Sequence, residues 1–415
     1  MMRNAFPSLQ QVAANGLGPV YFDNPAGTQV PQAVIDAVAH YFTTMNANSG
    51  GMFATSQRSD AMVHHVRELM ADFLNASSPD EIVIGPNMTT LNFALSRALA
   101  KTLKAGDEIV LTRMDHDANV APWLRIAEDF GLTVRWVDLR EEDCTLDLDT
   151  LEAALTDKTR IVATVHASNA VGTINPVERI AAMADAAGAL YVVDAVQSAP
   201  HIPLDVQAIG CDFLLCSAYK FFGPHLGVMW GRHDLLASLP VYKVRPSKDV
   251  PPYRWETGTA SFETIAGLGA ALEYLQGIGR DYGTPFVDQF PDYNGRKLDF
   301  KTGMAAIGAY ERDLTAHLLD VLTALPGARI YGITDRHCLH ERVPTVVFTL
   351  EGHTPEAIAQ HLAQHEIYVW HGHYYAVEVM GRLGHAEHGM VRVGLAHYNT
   401  HDEIDRLDAA LKLLL

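Results

Sequence analysis

The 415-residue chain is 48% hydrophobic and 19% charged, with a net charge of −18 at pH 7. That length predicts two domains, and the composition is that of an ordinary soluble globular protein. The acidity argues against a nucleic-acid or anionic-membrane partner, because both surfaces repel a strongly acidic protein.

In chain order, the opening Met1-Met-Arg-Asn-Ala-Phe-Pro7 lacks the long apolar segment of a signal peptide. No run reaches the roughly 18 apolar residues that a membrane helix needs. Cys144, Cys211, Cys216 and Cys338 form no CxxC pair, so reduced thiols and a cytoplasmic location are expected. A short helix is expected from Leu9 to Ala14. Tyr21 to Thr28 reads as a strand end and turn, with a helix from Pro31, a polar loop over Asn46–Gly51 and a helix over Ser59–Leu74. Glu81 to Thr90 is a strand running into a helix that begins near Thr89. There the hydroxyls of Thr89 and Thr90 could cap the helix or hold a phosphate at its N-terminus.

Strand and helix then alternate: strands over Glu108–Thr112, Thr133–Asp138, Arg160–His166 and Leu190–Asp194, and helices over Val120–Phe130, Asp149–Leu155 and Val177–Ala187. This alternation predicts a parallel sheet with helices on both faces. Ile265–Leu275 reads as a Gly/Ala-rich helix, and residues 278–304 as a polar, turn-rich excursion between domains. Glu311–Leu325, Val343–Leu350, Met390–Leu395 and Asp402–Leu415 would build a smaller α/β unit. The expected division is a large domain over 20–277 and a small one from 1–19 with 278–415.

The chemistry centres on Cys211-Asp-Phe-Leu-Leu-Cys-Ser-Ala-Tyr-Lys-Phe-Phe-Gly-Pro-His-Leu-Gly227. Read alone, Lys220 could be a surface lysine in a β-hairpin. Held at the end of a buried strand and walled by aromatics, it would deprotonate easily and could form a Schiff base with an aldehyde cofactor. Asp194 ends the apolar run Leu190–Val193. In an open parallel sheet both residues would sit beyond the carboxyl ends of strands, where ligands bind. Pyridoxal phosphate needs this pair: a lysine for the aldehyde carbon and a carboxylate for the pyridine nitrogen.

Seven motifs in order, Tyr21-Phe-Asp-Asn-Pro-Ala-Gly27, Met88-Thr-Thr90, Met114-Asp-His-Asp-Ala-Asn119, Ser168-Asn-Ala-Val-Gly-Thr173, Val193-Asp-Ala-Val-Gln197, Ser217-Ala-Tyr-Lys220 and Gly258-Thr259, resemble the class V aminotransferases of the fold-type I pyridoxal-phosphate enzymes. Within that group they are similar to cysteine desulfurases, over about residues 20 to 400. The resemblance implies an α/β fold: a large domain with a mostly parallel seven-stranded sheet between helices, and a smaller C-terminal α/β domain. It implies that Lys220 carries the cofactor and then moves protons at the substrate α-carbon, that Asp194 pairs with the ring nitrogen, and that His116 stacks on the ring. Asn169 and Gln197 would donate to the ring hydroxyl, and Thr89, Thr90, Ser217 and Tyr219 would hold the phosphate. Thr259 would reach the phosphate of the neighbouring subunit in a homodimer, and Arg392 would grip the carboxylate of a small amino acid through paired hydrogen bonds. Asn24, His373 and Tyr375 complete the expected substrate side.

The sequence departs from the desulfurase pattern at three places. The family's sulfur-accepting cysteine would fall near Tyr375, in Val369-Trp-His-Gly-His-Tyr-Tyr-Ala376, and a phenol cannot form a persulfide. Tyr219 stands where desulfurases usually have histidine. The loop Asn48–Phe53 lacks the family's histidine and arginine, which points to a different substrate. The many C-terminal histidines show no HExxH pattern, so no metal site is expected. Transamination or β-elimination is therefore the leading expectation, epimerisation is a third branch, and a catalytically silent binding protein is the reading from another class.

Overall fold

The computed structural model describes residues 2–13 and 16–415. Its strands are β1 (Val20–Tyr21), β2 (Ile82–Gly85), β3 (Glu108–Thr112), β4 (Thr133–Val137), β5 (Thr159–Val165), β6 (Leu190–Asp194) and β7 (Phe213–Ser217). They continue as β8 (Gly227–Gly231), β9 (Ala328–Tyr331), β10 (Thr345–Leu350), β11 (Ile367–Tyr368), β12 (Trp370–Gly372) and β13 (Met390–Gly394). A seven-stranded sheet has the order β2-β8-β7-β6-β5-β3-β4. Its pairings are parallel from β4 to β7, and β8 runs against both neighbours, β2 and β7. The mostly parallel α/β architecture expected from the sequence is therefore observed.

The sheet is covered on both faces, which is why its central strands are near-continuous apolar runs. Successive residues point to opposite faces. Val192, Phe213 and Leu215 pack in one core with the helices Met88–Ala100 and Ala121–Phe130. Val193, Leu214 and Cys216 pack in another with Ala54–Leu74 and Phe262–Tyr282. The smaller antiparallel sheet, β12-β13-β10-β9, has its own core, in which Val346, Phe348, Val391 and Val393 meet Ile358, Ile404 and Leu407. Val20 and Phe22 join that core, because β1 pairs in parallel with β11.

Two expectations are corrected here. Residues 278–304 are not a turn-rich excursion. The helix Phe262–Tyr282 runs through their start, a short 3-10 turn spans Thr284–Gln289, and a 30-residue helix, Gly295–Ala324, begins within them. Few of its apolar residues fall at its start, so the sequence reads as polar; small residues let the two helices touch instead. A Cβ on Gly279 would lie 1.8 Å from the Asp299 carbonyl oxygen. Lys301 is 2% exposed there, its ammonium 3.2 Å from the Asp205 carboxylate and donating to the Leu204 carbonyl. Along this one helix Phe300, Met304 and Ile307 belong to the large core, whereas Leu314, Leu318 and Leu322 belong to the small one. The helix expected over Leu9–Ala14 is a 3-10 turn, Pro7–Gln10; Ala14 lies outside the described residues. Among the described residues, no helix is long and apolar enough to cross a membrane.

Candidate active site

Three strand ends converge on one cavity of about 540 Å³. Strand β5 ends at Val165, β6 at Asp194 and β7 at Ser217, and all three residues line it. Lys220 ends a single 3-10 turn, Ala218–Lys220, inside the antiparallel connection from β7 to β8. The hairpin is thus real, but its lysine is buried. Burial, aided by the charge of Arg392, lowers the Lys220 ammonium from its usual range to about 7, while Asp194 and Asp23 pull the other way. Its Nζ donates to the Pro25 carbonyl at 2.5 Å, and Gln197 Nε2 donates to the same oxygen at 2.8 Å. Burial raises Asp194 to about 6, against the opposing pull of the Val196 N–H, which donates to Oδ1 at 2.9 Å, and of Lys220. His116 is lowered to about 4 by burial and by the charges of Lys220 and Arg392. Its Nδ1 accepts the Ala118 N–H at 3.0 Å, so the neutral ring carries its proton on Nε2.

The opposite wall comes from the small sheet. Register places Arg392 of β13 between Trp370 of β12 and Val347 of β10. The guanidinium is buried, donates to the Asn169 carbonyl at 2.8 Å and lies 4.3 Å from the centre of the Tyr374 ring. After β12 the chain makes a turn in which Tyr374 (φ 53°) and Tyr375 (φ 57°) are both left-handed. Such a conformation costs a bulky residue on the order of 1–3 kcal/mol. The turn is tied down by Asn169 Nδ2 donating to the Tyr374 carbonyl at 2.9 Å and by the Asp117 N–H donating to the Tyr375 carbonyl at 2.7 Å. The Tyr374 hydroxyl donates to the Met390 carbonyl. The Tyr375 ring stacks on His116 with centroids 5.5 Å apart and planes at 28°.

The sequence pattern of the class-V aminotransferases matches residues 20–285 and 295–407. The chain belongs to that family. It is a pyridoxal-phosphate-dependent enzyme family, and the cavity fits the group. It offers an amine that loses its proton near neutrality, an acid opposite, a neutral imidazole and amides, with Asn169 Oδ1 and Arg392 Nε buried without a partner in the protein. A cysteine desulfurase of Synechococcus elongatus is 36% identical over 99% of this chain, which spans 63% of that protein's length. A probable cysteine desulfurase of Synechocystis is 35% identical, covering 97% of this chain and 92% of that one. Among solved structures, the apo cysteine desulfurase of Thermococcus onnurineus superposes with a TM-score of 0.84 at 28% identity, covering 95% and 94% of the two chains. An S-sulfonic acid form of an Escherichia coli cysteine desulfurase does so with 0.82 at 27%, covering 99% and 96%.

In this member of the class-V aminotransferase family the structure brings Thr89, His116, Asn169, Asp194, Gln197, Ser217, Tyr219, Lys220, Tyr375 and Arg392 to one cavity. It does not bring Thr90, Thr259, Asn24 or His373 there. Thr90 follows Thr89 by about 100° around the helix, and lines a second cavity of about 660 Å³ together with Thr259. Tyr219 of the first cavity stacks on His225 of the second at 4.8 Å. Asn24, expected to touch substrate, is spent inside the fold: its Nδ2 donates to the carbonyls of Tyr21 and Gly394 and to Asn399 Oδ1, while its Oδ1 accepts from Tyr398. His373 is exposed and accepts the Tyr375 N–H at 3.1 Å, so it supports the turn rather than the cavity.

Sequence reasoning missed Phe93 and Trp370, which line the cavity beside Tyr374. It also missed Asp115, although its motif was in view. Asp115 is buried and accepts from Thr112 Oγ1 and from Asn119 Nδ2 (2.7 Å), which pins the His116 turn to the end of β3. Asp23 was missed too: buried Oδ1 has no partner, and the charges of Arg392 and Lys220 oppose the rise that burial imposes on it. Among the described residues no cysteine lines this cavity. Cys211 and Cys216 are core residues whose thiols burial pushes up, and burial raises Cys144 to about 11, so none is a ready thiolate.

Proposed function

We propose that this chain is a pyridoxal-phosphate enzyme that removes the α-proton of a small amino acid and completes transamination or β-elimination without a persulfide relay. The observation that carries the reading is the meeting of Lys220, Asp194, His116 and Arg392 on one cavity whose lining has no thiol. Bound there, the cofactor supplies an electron-withdrawing ring conjugated to the substrate α-carbon. Lys220 would hold the aldehyde carbon, Asp194 the ring nitrogen, Gln197 and Asn169 the ring hydroxyl, and Thr89, Ser217 and Tyr219 the phosphate. Thr259 is proposed to serve the phosphate site of the second protomer in a homodimer.

Arg392 binds and orients the substrate carboxylate, since its buried guanidinium keeps Nε unpaired for a charge-assisted bond. The Lys220 amine, neutral over much of the physiological range, accepts the α-proton and returns it. His116 packs flat in the site and offers Nε2–H. The aromatic turn over Tyr374 and Tyr375 forms that side of the cavity. A cytoplasmic location accords with the free thiols.

The fate of the cofactor tests the reading when holoenzyme meets a panel of amino acids without keto acid. Stoichiometric accumulation of the pyridoxamine form means transamination. Catalytic build-up of keto acid and ammonia means elimination. A colourless protein that takes up no pyridoxal phosphate would overturn the proposal in favour of a silent binding protein.

A further inference from the structure

The segment from Trp370 to Tyr375 carries more than the proposed reaction uses. Two consecutive bulky residues in the left-handed region persist only where their surroundings over-determine them. Here both tyrosine carbonyls are held from loops of the seven-stranded sheet, by Asn169 Nδ2 and the Asp117 N–H, and the Tyr374 hydroxyl is held by β13. The return strand is locked as well: a Cβ on Gly389 would lie 2.0 Å from the carbonyl carbon of Gly372. The turn is therefore a fixed wall. What it presents to the cavity is aromatic: Tyr375, 65% exposed and stacked on His116, with Trp370 and Phe93 also in the lining. The charged lining side chains are Lys220, Asp194, Arg392 and Asp117. The first three are committed to amine, ring and carboxylate, which leaves one acidic group and an aromatic surface for the substrate side chain.

We infer that Tyr375 is the specificity-determining residue of this site, and that with Trp370 and Phe93 it selects an amino acid whose side chain is uncharged and apolar. The inference rests on the proposed amino-acid chemistry and names its substrate class. An aliphatic chain gains by covering aromatic surface and an acidic one meets Asp117, whereas a basic one gains only a solvent-screened pair with half-buried Asp117 and ring contacts while giving up ammonium hydration.

The test is a titration of holoenzyme with L-alanine, L-2-aminobutyrate and L-norvaline, and with L-aspartate and L-lysine, read from the absorbance of the bound cofactor. In the wild type the apparent Kd falls about fourfold with each added methylene, and the charged pair binds roughly tenfold or more weaker than norvaline. Tyr375→Ala flattens the series to about twofold or less per methylene. Tyr375→Phe keeps it, because the ring and not the hydroxyl does the packing. Trp370→Ala, on the exposed edge strand, also flattens it and serves should Tyr375→Ala not fold. An unchanged slope in Tyr375→Ala or Trp370→Ala, or tightest binding of aspartate or lysine, overturns the inference and leaves the amino-acid reading intact. If no amino acid alters the wild-type absorbance, the amino-acid reading falls, and the inference with it.

Discussion

The two halves of the cavity are built in different ways. The half that would hold the cofactor stands on strand ends: Asp194 closes β6, Ser217 closes β7 and Lys220 follows within one turn. Its residues are fixed by a sheet buried on both faces, and each lies in a short contiguous motif. The half that would hold the substrate is assembled between the two sheets, from Arg392 on β13, the Tyr374–Tyr375 turn and Asn169 beyond the end of β5. Its geometry comes from long-range tethers and local backbone strain. A cofactor half of this kind can serve many substrates, while the tethered half decides which one.

Substitutions that separate the halves have graded effects. Lys220→Ala is expected to lower turnover by roughly 10²–10⁴-fold and to abolish borohydride-fixable colour while the fold persists. Arg392→Ala should leave the colour and raise KM for the amino acid about tenfold to a hundredfold, the loss of a charge-assisted pair. Steady-state kinetics on both variants checks the contrast, and an Arg392 variant that changes only kcat would break it.

The halves also communicate through charge. Lys220 is depressed to about 7 by burial and by Arg392. The neutral amine is the form that captures the cofactor, so capture by apoprotein should rise about tenfold per pH unit up to about 7 and level above it. Removing the Arg392 cation favours the ammonium, so Arg392→Leu should move that midpoint to higher pH. Stopped-flow absorbance measures both profiles.

Smaller effects test the scaffold. Gly389→Ala places a Cβ against Gly372 at a left-handed position (φ 64°) and should cost on the order of 1–3 kcal/mol, seen as a lower Tm and weaker substrate binding. Asn24→Ala leaves buried carbonyls unpaired and should cost about 1–3 kcal/mol of stability with KM little changed. A large rise in KM with unchanged Tm would restore Asn24 to the substrate side.

The same contrast governs what the sequence reveals. Lys220 and Asp194 are legible because apolar runs announce strands and a polar step marks where each ends. The two-sided sheet is legible from strand and helix alternation. The Gly295–Ala324 helix is legible only from Glu311 on, since its first turns bury Lys301 and pack through glycine, and apolar periodicity carries no sign of either. Thr90 shares a motif with Thr89, yet helical geometry turns it into another cavity. Asn24 looks like a site residue because its motif is distinctive, but its hydrogen bonds to Gly394 and Asn399 lie some 370 positions away. Trp370 gains its role only from sheet register opposite Arg392, and the Tyr374–Tyr375 turn takes its shape from tethers to Asn169 and Asp117.

The most direct test of the account is borohydride reduction of the holoenzyme followed by peptide mapping. The account predicts one pyridoxyl label, on Lys220. A label on any other lysine, or none on a protein shown to bind the cofactor, would contradict it.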